Sequence, residues 1–397
     1  MLFMRSNSFI GRSIIKKIEE TRRSKVIVYF TGDRFPFPAR IAEDAVRPLY
    51  DHLLALDSSN SKIKKIDLFL YSRGGDISVP WRIASMIREF CDEFNVLIPY
   101  KALSAATLLS LGADHIIMGR KAELGPIDPT LVRTTMGEGT IPPREIAVED
   151  VNSFLSFIKE RANINDQDAL ATVVNSLVKE IGSLTLGRVN RAHHHIRLIA
   201  RKLLTTRKEK MDEEKISTII ETLTEKIYSH GHGIARREAR DMGLPVEYPN
   251  EKLEKLMWEL YLKYEEFLHL REPIHPELIL KDKDKHEIVD LPIAVIESVN
   301  KIHVFRTNII LRKKRQIPPN PQININLTLQ LPPGITPQQI PKQAQKILNQ
   351  ILNQAAKAVP KIVRQEILRQ SPIIGVEARF YGGKWIDETP REDKTSR

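Results

Sequence analysis

One cysteine, Cys91, stands in 397 residues. An internal disulfide is therefore excluded, and the chain fits a reducing compartment, so a cytoplasmic location is expected. No run of about 18 apolar residues occurs, and no transmembrane helix is expected. The opening MLFMRSNSFIGRSIIKKIEE lacks an apolar stretch followed by a small-residue cleavage site, so it does not read as a secretory leader. No G-x-x-x-x-G-K-[ST] sequence is present, which leaves the chain without a P-loop for ATP. The adjacent His193, His194 and His195 point in different directions on a helix, so they make no metal site. Neither a metal nor a cofactor is expected.

Basic residues are in excess. The formal net charge is +11, which permits contact with nucleic acid, anionic lipid or an acidic partner and selects none of them. Residues 188–210 carry eight Lys/Arg against one acid, Glu209. Ile196, Ile199, Leu203 and Leu204 recur there at helical spacing, so this is either a solvated basic helix face or a face for an anion or a partner.

The length implies two or three domains. KVIVYF (25–30), KIDLFLY (65–71), NVLIPY (95–100) and ADHIIMG (113–119) read as buried strands. Helical patterns over 41–56, 79–91 and after Ala105 separate them. Short alternation of this kind predicts an α/β unit with parallel strands. Residues 143–228 are mostly helical in pattern, and 250–268 is a strongly amphipathic helix. Residues 291–311 read as two strands joined near Asn300. RKKRQIPPNPQ (312–322) reads as a basic, proline-rich linker. A strand at 325–331, a helix at about 337–370 and a strand at 376–385 make a small C-terminal β-α-β module, suited to oligomerisation or to docking a protein partner.

Two turns carry chemistry. SRGGD (72–76) follows a buried strand, and Gly74-Gly75 lets backbone N–H groups point outward as donors to an oxyanion. In KALSAATLLSLGADHIIMG (101–119), Ser104 sits among small residues between a strand and a helix. The N–H of Ala105 lies at that helix's N-terminus, as a second such donor. Ser104 is either a simple N-cap or a presented hydroxyl.

SKVIVYF, DLFLYSRGGD, IPYKALSAATLLSLGADHIIMG and KAELGPIDP, in that order, resemble the serine dehydrogenase proteinase family. That family lies within the Clp-protease/crotonase fold group, which includes signal peptide peptidase A. HGIARREARDMGLPV resembles a late segment of the same group, and the resemblance spans roughly residues 10–265. It implies an α/β Clp protease/crotonase-like spiral of β-α units over residues 1–311, with a helical insertion at about 150–230. The linker 312–322 and the module 323–397 follow. It also implies an ATP-independent serine endopeptidase acting on peptide or protein substrates, in a homo-oligomer. Ser104 is then the nucleophile, and Gly74, Gly75 and Ala105 supply the oxyanion-hole amides. Two positions depart from the pattern: Arg73 stands where proline usually precedes the glycines, and Thr130 where glutamine is commoner.

A serine nucleophile needs a base. Clp relatives carry a histidine about 25 residues after the serine, where this chain has ELGPIDP. The signal-peptide-peptidase type uses a lysine kept neutral by burial. Lys159 in NSFLSFIKERA, flanked by Phe154, Leu155, Phe157 and Ile158, is the expected base of a Ser-Lys dyad. His115, Lys121, His230 and His232 are its rivals. Asp76 and Asp128 are expected to brace turns. The alternative class is an inactive scaffold of this fold, whose basic helix and C-terminal module bind nucleic acid or a protein.

Overall fold

A computed structural model of the chain describes residues 8–57, 62–127, 130–133, 144–227, 231–317, 319, 349, 359–364 and 366–390. In chain order, the first half contains α1 (Arg12–Arg22), β1 (Lys25–Thr31), α2 (Val46–Leu56), β2 (Ile63–Tyr71), α3 (Val79–Phe90), β3 (Cys91–Ile98), β4 (Lys101–Ala102), α4 (Ala105–Leu111), β5 (His115–Met118), β6 (Glu123–Leu124), β7 (Thr130–Arg133), β8 (Arg144–Ala147), α5 (Val148–Ser156) and α6 (Gln167–Ile181). There follow α7 (Ser183–Thr205), α8 (Glu213–Glu221), β9 (Ile234–Ala235), α9 (Arg236–Asp241), β10 (Val246–Glu247), α10 (Glu251–Phe267), α11 (Pro276–Ile279), β11 (Lys285–Glu297), β12 (Ile302–Arg315) and β13 (Ile373–Asp387).

The chain divides into two units, one of residues 1–274, 289–307 and 382–397, the other of 275–288 and 308–381. The large sheet has the strand order β10-β5-β3-β2-β1-β11-β12-β13. From β10 to β1 the neighbours are parallel, and β11 turns antiparallel to β1. Val26 to Thr31, Ile66 to Tyr71 and Phe94 to Ile98 are buried without a break. Continuous burial is what a parallel strand covered on both faces requires. The helices supply that cover. Ile83, Ala84 and Ile87 of α3 and Ile14, Ile15 and Ile18 of α1 are buried at helical spacing. Burying each of the larger side chains contributes about 1.5–3 kcal/mol. The fold is the α/β Clp-like class.

At the start of α1, the carboxylate of the fully buried Glu297 accepts from the N–H of Gly11 at 2.9 and 3.1 Å and from the hydroxyl of Tyr264 at 2.7 Å. Burial pushes this carboxyl up to about 7 against the pull of those donors.

The helical insertion is present as α5, a π-helical turn (Phe157–Arg161), α6, α7, α8 and a second π-helical turn (Thr222–Lys226). Among the described residues no single helix is long and apolar enough to cross a membrane. Only α6 and α7 taken together pass by length and composition, and they are bent by 96°.

In the second unit the basic run at 312–315 is the end of β12 and not a linker. Its groups find partners there. Lys313 N–H donates to the Asp284 carbonyl at 3.1 Å, and Arg315 meets Asp284 at 2.8 Å and the Ser371 carbonyl at 3.0 Å. The expected strand at 325–331 and most of the expected helix at 337–370 lie outside the described residues. The last expected strand corresponds to β13.

Candidate active site

The site begins where β2 ends. Ser72 is buried, its N–H donates to the Lys101 carbonyl, and its own carbonyl accepts from Leu103, both at 3.0 Å. Its hydroxyl accepts from Thr31 Oγ1 at 2.7 Å and from the Gly74 N–H at 3.0 Å. These bonds fasten β1, β2 and β4 together at their carboxyl ends. Gly74 then takes φ +112°. A Cβ there would lie 2.8 Å from Ser104 Cβ, 2.9 Å from the Leu103 carbonyl and 3.2 Å from Ala105 N. Only glycine accepts both that dihedral and that approach. Gly75 lies flat on Ile41, where a Cβ would land on backbone atoms. Ile41 N–H donates to the Gly74 carbonyl at 2.8 Å, and Asp76 N–H to the Ile41 carbonyl at 2.9 Å.

Ser104 has φ +52° and ψ −115°. A non-glycine residue at such dihedrals costs of order 1–3 kcal/mol and persists only where its surroundings hold it. The holding is visible. Thr107 Oγ1 lies 2.7 Å from the Ala102 carbonyl and 2.9 Å from the Gly125 carbonyl, and it accepts from Gly125 N–H at 2.9 Å. The G-P-I segment is thereby bound to the serine helix, with Gly125 packed on Leu103. Ser104 occupies the N-cap position of α4, yet its side chain makes no capping hydrogen bond. The half-buried hydroxyl is presented and not consumed. A strained strand-to-helix turn is a recurrent way of holding a nucleophilic serine.

The three amides differ. Gly74 N–H is taken by Ser72 Oγ. The N–H groups of Gly75 and Ala105 meet no acceptor among the described residues. Two N–H groups of the site, one on the glycine turn and one at the start of α4, are thus left unengaged among the described residues. Arg73, next to them, is exposed and forms no ion pair among the described residues.

Lys159 stands on the π-helical turn after α5 and is exposed. The apolar flank expected to bury its stem is itself open, with Phe154 40% and Phe157 53% exposed. No hydrogen bond or ion pair ties Lys159 to Ser104. Among its rivals, His115 pairs with Glu247 at 2.8 Å at the opposite, N-terminal end of β5. Lys121 lies over the rings of Tyr100 and Trp258, at 4.4 and 5.0 Å. His232 pairs with Glu238 at 2.9 Å. Asp76 braces its turn by accepting from Ser78 N–H at 2.8 Å. His230 and Asp128 lie outside the described residues. Cys91 is no rival nucleophile, because burial pushes its thiol up to about 12.

Part of the charge of the basic stretch is paired, while Arg188, Arg191, Lys202, Lys208 and Lys210 stay exposed. Arg197 pairs with Glu225 and Arg201 with Glu213. Lys202 lies over Trp81 at 5.3 Å, and the buried Arg207 donates to the Asp114 carbonyl at 3.1 Å. Sequence reasoning missed Thr31, Ser72 and Thr107, the hydroxyls that build the cradle. Their spacing carries no signal, and only the fold brings them to the turn.

Residues 2–138 match one family model, described as ClpP-like SDH-type serine proteinase. The matched segment holds Ser104. An uncharacterized protein of Methanocaldococcus jannaschii is 29% identical over 201 residues, which are 50% of this chain and 59% of that protein. A second uncharacterized protein of that organism is 24% identical over 199 residues, 50% of this chain and 56% of its own. The chain thus spans less than two thirds of the length of these relatives. Among solved structures, ClpP1 from Listeria monocytogenes is similar at 15% identity, covering 60% of this chain and 98% of that one, with a TM-score of 0.32. Its N165D mutant is similar at 14% identity, covering 60% and 99%, with a TM-score of 0.30. The residues matched by that family model include Gly74, Gly75, Ser104 and Ala105, and end before Lys159.

Proposed function

We propose that the chain is an ATP-independent serine endopeptidase with Ser104 as nucleophile. The observation that carries this reading is the strained backbone of Ser104, with its hydroxyl left out of the helix cap and set against the glycine turn. Ser104 Oγ attacks the carbonyl carbon of a peptide bond, and its proton passes to a base. The carbonyl π electrons move to oxygen, which the N–H groups of Gly75 and Ala105 hold. Collapse breaks the C–N bond, the amine leaves with the proton, and water hydrolyses the acyl-enzyme.

Of the three expected oxyanion donors, Gly75 and Ala105 are the stronger, since Gly74 N–H is already engaged. Lys159 is the base of the Ser-Lys reading, and in that role its amine has to be covered and uncharged. A homo-oligomer in the cytoplasm completes the proposal, with the C-terminal module as a docking element. The rival reading is an inactive scaffold whose basic helix and C-terminal module bind nucleic acid or a protein partner, and salt-dependent nucleic-acid binding that survives Ser104→Ala would favour it.

Labelling with a fluorophosphonate probe tests the proposal, with the modified residue located by mass spectrometry. Modification at Ser104 without ATP, together with peptide hydrolysis, is the expected result. No modification at Ser104 overturns it. Light scattering after size exclusion tests the assembly.

A further inference from the structure

Two arginines flank the glycine turn at the end of β2. Arg73 precedes Gly74, and Arg40 precedes Ile41. Ile41 and Gly75 form a parallel bridge. The Ile41 N–H donates to the Gly74 carbonyl at 2.8 Å, and the Ile41 carbonyl accepts from the Asp76 N–H at 2.9 Å. Both arginines therefore branch from the backbone that builds the turn. That turn touches the serine, since a Cβ on Gly74 would come 2.8 Å from Ser104 Cβ and 3.2 Å from Ala105 N. One peptide step adds about 3.8 Å between Cα atoms, so the long side chain of Arg73 starts within reach of a peptide held at Ser104.

Both side chains are exposed, and neither has a hydrogen bond, an ion pair or a ring contact among the described residues. Other exposed arginines of the same unit are tied to a carboxylate: Arg47 to Asp51, Arg82 to Glu43, Arg120 to Glu254 and Arg271 to Glu265. The acids beside the turn are engaged with other groups. Asp76 accepts from the Ser78 N–H at 2.8 Å. Asp33 accepts from the Tyr71 hydroxyl at 2.9 Å and lies 3.7 Å from Lys101 Nζ.

The turn does not need these charges. It is held by the backbone of Ser72, Gly74 and Asp76 and by the Ser72 hydroxyl. No bond of it passes through the side chain at 73, where the sequences this chain resembles usually carry an uncharged proline. A guanidinium offers a positive charge and a planar fork of donors that matches a carboxylate. A cation left unpaired beside a reactive hydroxyl is placed for recognition and not for folding.

We propose that Arg73, with Arg40 beside it, selects peptides that carry an acidic side chain close to the scissile bond. The inference rests on the reading of Ser104 as nucleophile and adds the chemistry of its substrate. An extended peptide advances about 3.3 Å per residue, so an aspartate or glutamate within three residues of the attacked carbonyl can meet one guanidinium or both. The net charge of +11 steers the same class of substrate toward the protein. The two arginines hold the substrate and move no proton, and the bond changes at Ser104 stay as described above.

The test digests a mixed peptide pool with the full chain and maps the cleaved bonds by mass spectrometry. It uses wild type, Arg73→Gln, Arg73→Glu, Arg40→Gln and Ser104→Ala, at low and at high ionic strength. The quantity read is the enrichment of Asp and Glu over Asn and Gln at each of the three residues on either side of the cut. Each ratio is taken within one digest, so a general loss of rate in a variant cancels. Wild type is expected to favour acids by about five- to thirtyfold at one of these positions, and less at high salt. Arg73→Gln is expected to lower that ratio by about threefold or more, and Arg40→Gln by less. Arg73→Glu is expected to turn the preference toward Lys and Arg at the same position. Cleavage by wild type without acidic enrichment overturns the proposal, and so does an enrichment that survives Arg73→Glu. Binding of single-stranded DNA that Arg73→Glu abolishes, with no acidic enrichment among the cuts, assigns the pair to phosphate and overturns it as well. Failure of the nucleophile reading looks different: wild type cleaves nothing, or Ser104→Ala cleaves as wild type does, and both readings then fall together.

Discussion

Around Ser104, backbone and hydroxyl groups are committed on every side: Ser72 is bonded through its N–H, its carbonyl and its Oγ, and Thr107 clasps the next loop. In the helical insertion, α6 buries none of its fifteen residues. The two regions share a chain and differ in what fixes them. The serine turn keeps an unfavourable dihedral because its surroundings over-determine it. Within the insertion α7 and α8 are anchored in the core, but α6 buries nothing and the π-helical turn that carries Lys159 buries only Ile158, so little fixes a side chain there. A proton acceptor has to be held within hydrogen-bond reach of the hydroxyl. The comparison therefore asks that whatever serves as the base be held as firmly as the turn it serves.

The largest effect sharpens the rigid side. Ser104→Ala is expected to lower peptide hydrolysis by on the order of 10³-fold or more, with folding retained. Ser104→Gly should lose activity as fully while its melting temperature stays level or rises. Glycine adopts φ +52° without strain, which offsets its extra backbone entropy. Thermal unfolding beside the activity assay checks both. A marked fall in the melting temperature of Ser104→Gly would mean that the hydroxyl is a structural bond and not a presented group.

Gly74→Ala comes next. The new methyl meets Ser104 Cβ and the Leu103 carbonyl at 2.8 and 2.9 Å, at a φ that alanine resists. A loss of about 2–3 kcal/mol in urea unfolding is expected, along with activity. Wild-type stability in this variant would show that the turn yields, and the contrast between the two regions would collapse.

Much of the rigid region was legible in the sequence, and the reason is physical. A buried parallel strand has to be continuously apolar, so KVIVYF and DLFLY announce themselves. A double glycine after such a strand marks a close backbone approach, and small residues after NVLIPY mark the serine turn. The rest was hidden. β6 and β9 have two residues each, too short for any periodicity. That Ser72 takes up the Gly74 amide depends on where a hydroxyl points, which spacing does not encode. Phe154 and Phe157 read as a burying flank for Lys159, but apolar residues in one window do not establish that another element covers them. The basic run at 188–210 keeps exposed charge, as a solvated face does, but the pairing of Arg197 and Arg201 was hidden because their partners, Glu225 and Glu213, lie on a π-helical turn and on α8.

Acid is expected to move the rigid region toward the looser one. His52 Nε2 lies 3.1 Å from His303 Nδ1 and its Nδ1 lies 2.9 Å from Ser298 Oγ, with both imidazoles buried. Burial, and for His52 also the neighbouring imidazole, lowers both below the usual histidine value. The folded state thus resists a proton that the unfolded chain accepts. The stability contributed is present above about pH 6.5 and is lost as pH falls below it. Urea midpoints between pH 8 and 5 should fall for wild type and fall less for His303→Gln. Protection of the amides in α2 and β12, after division by the intrinsic exchange rate at each pH, should fall with acid, while that of α6, already open, changes little. An equal slope in the variant would remove the pair from the account.

The smallest expected effect is the one most able to break the comparison. Leu184 is 81% exposed, and Val174 and Phe157 are also open. Replacing any of them by serine should change stability by less than about 0.5 kcal/mol, because little apolar area is returned to water. Hydrogen exchange in α6 should be fast from the start, whereas α4, every residue of which is buried, should exchange only with global unfolding. If Leu184→Ser instead costs more than about 2 kcal/mol, that side chain is covered in solution, and among the described residues nothing covers it. The cost should then grow on raising the protein concentration, since binding to the folded state stabilises by mass action. In that event the open part of the insertion is an interface whose side chains are fixed in the assembly, and a second copy holds Lys159 in place as a base.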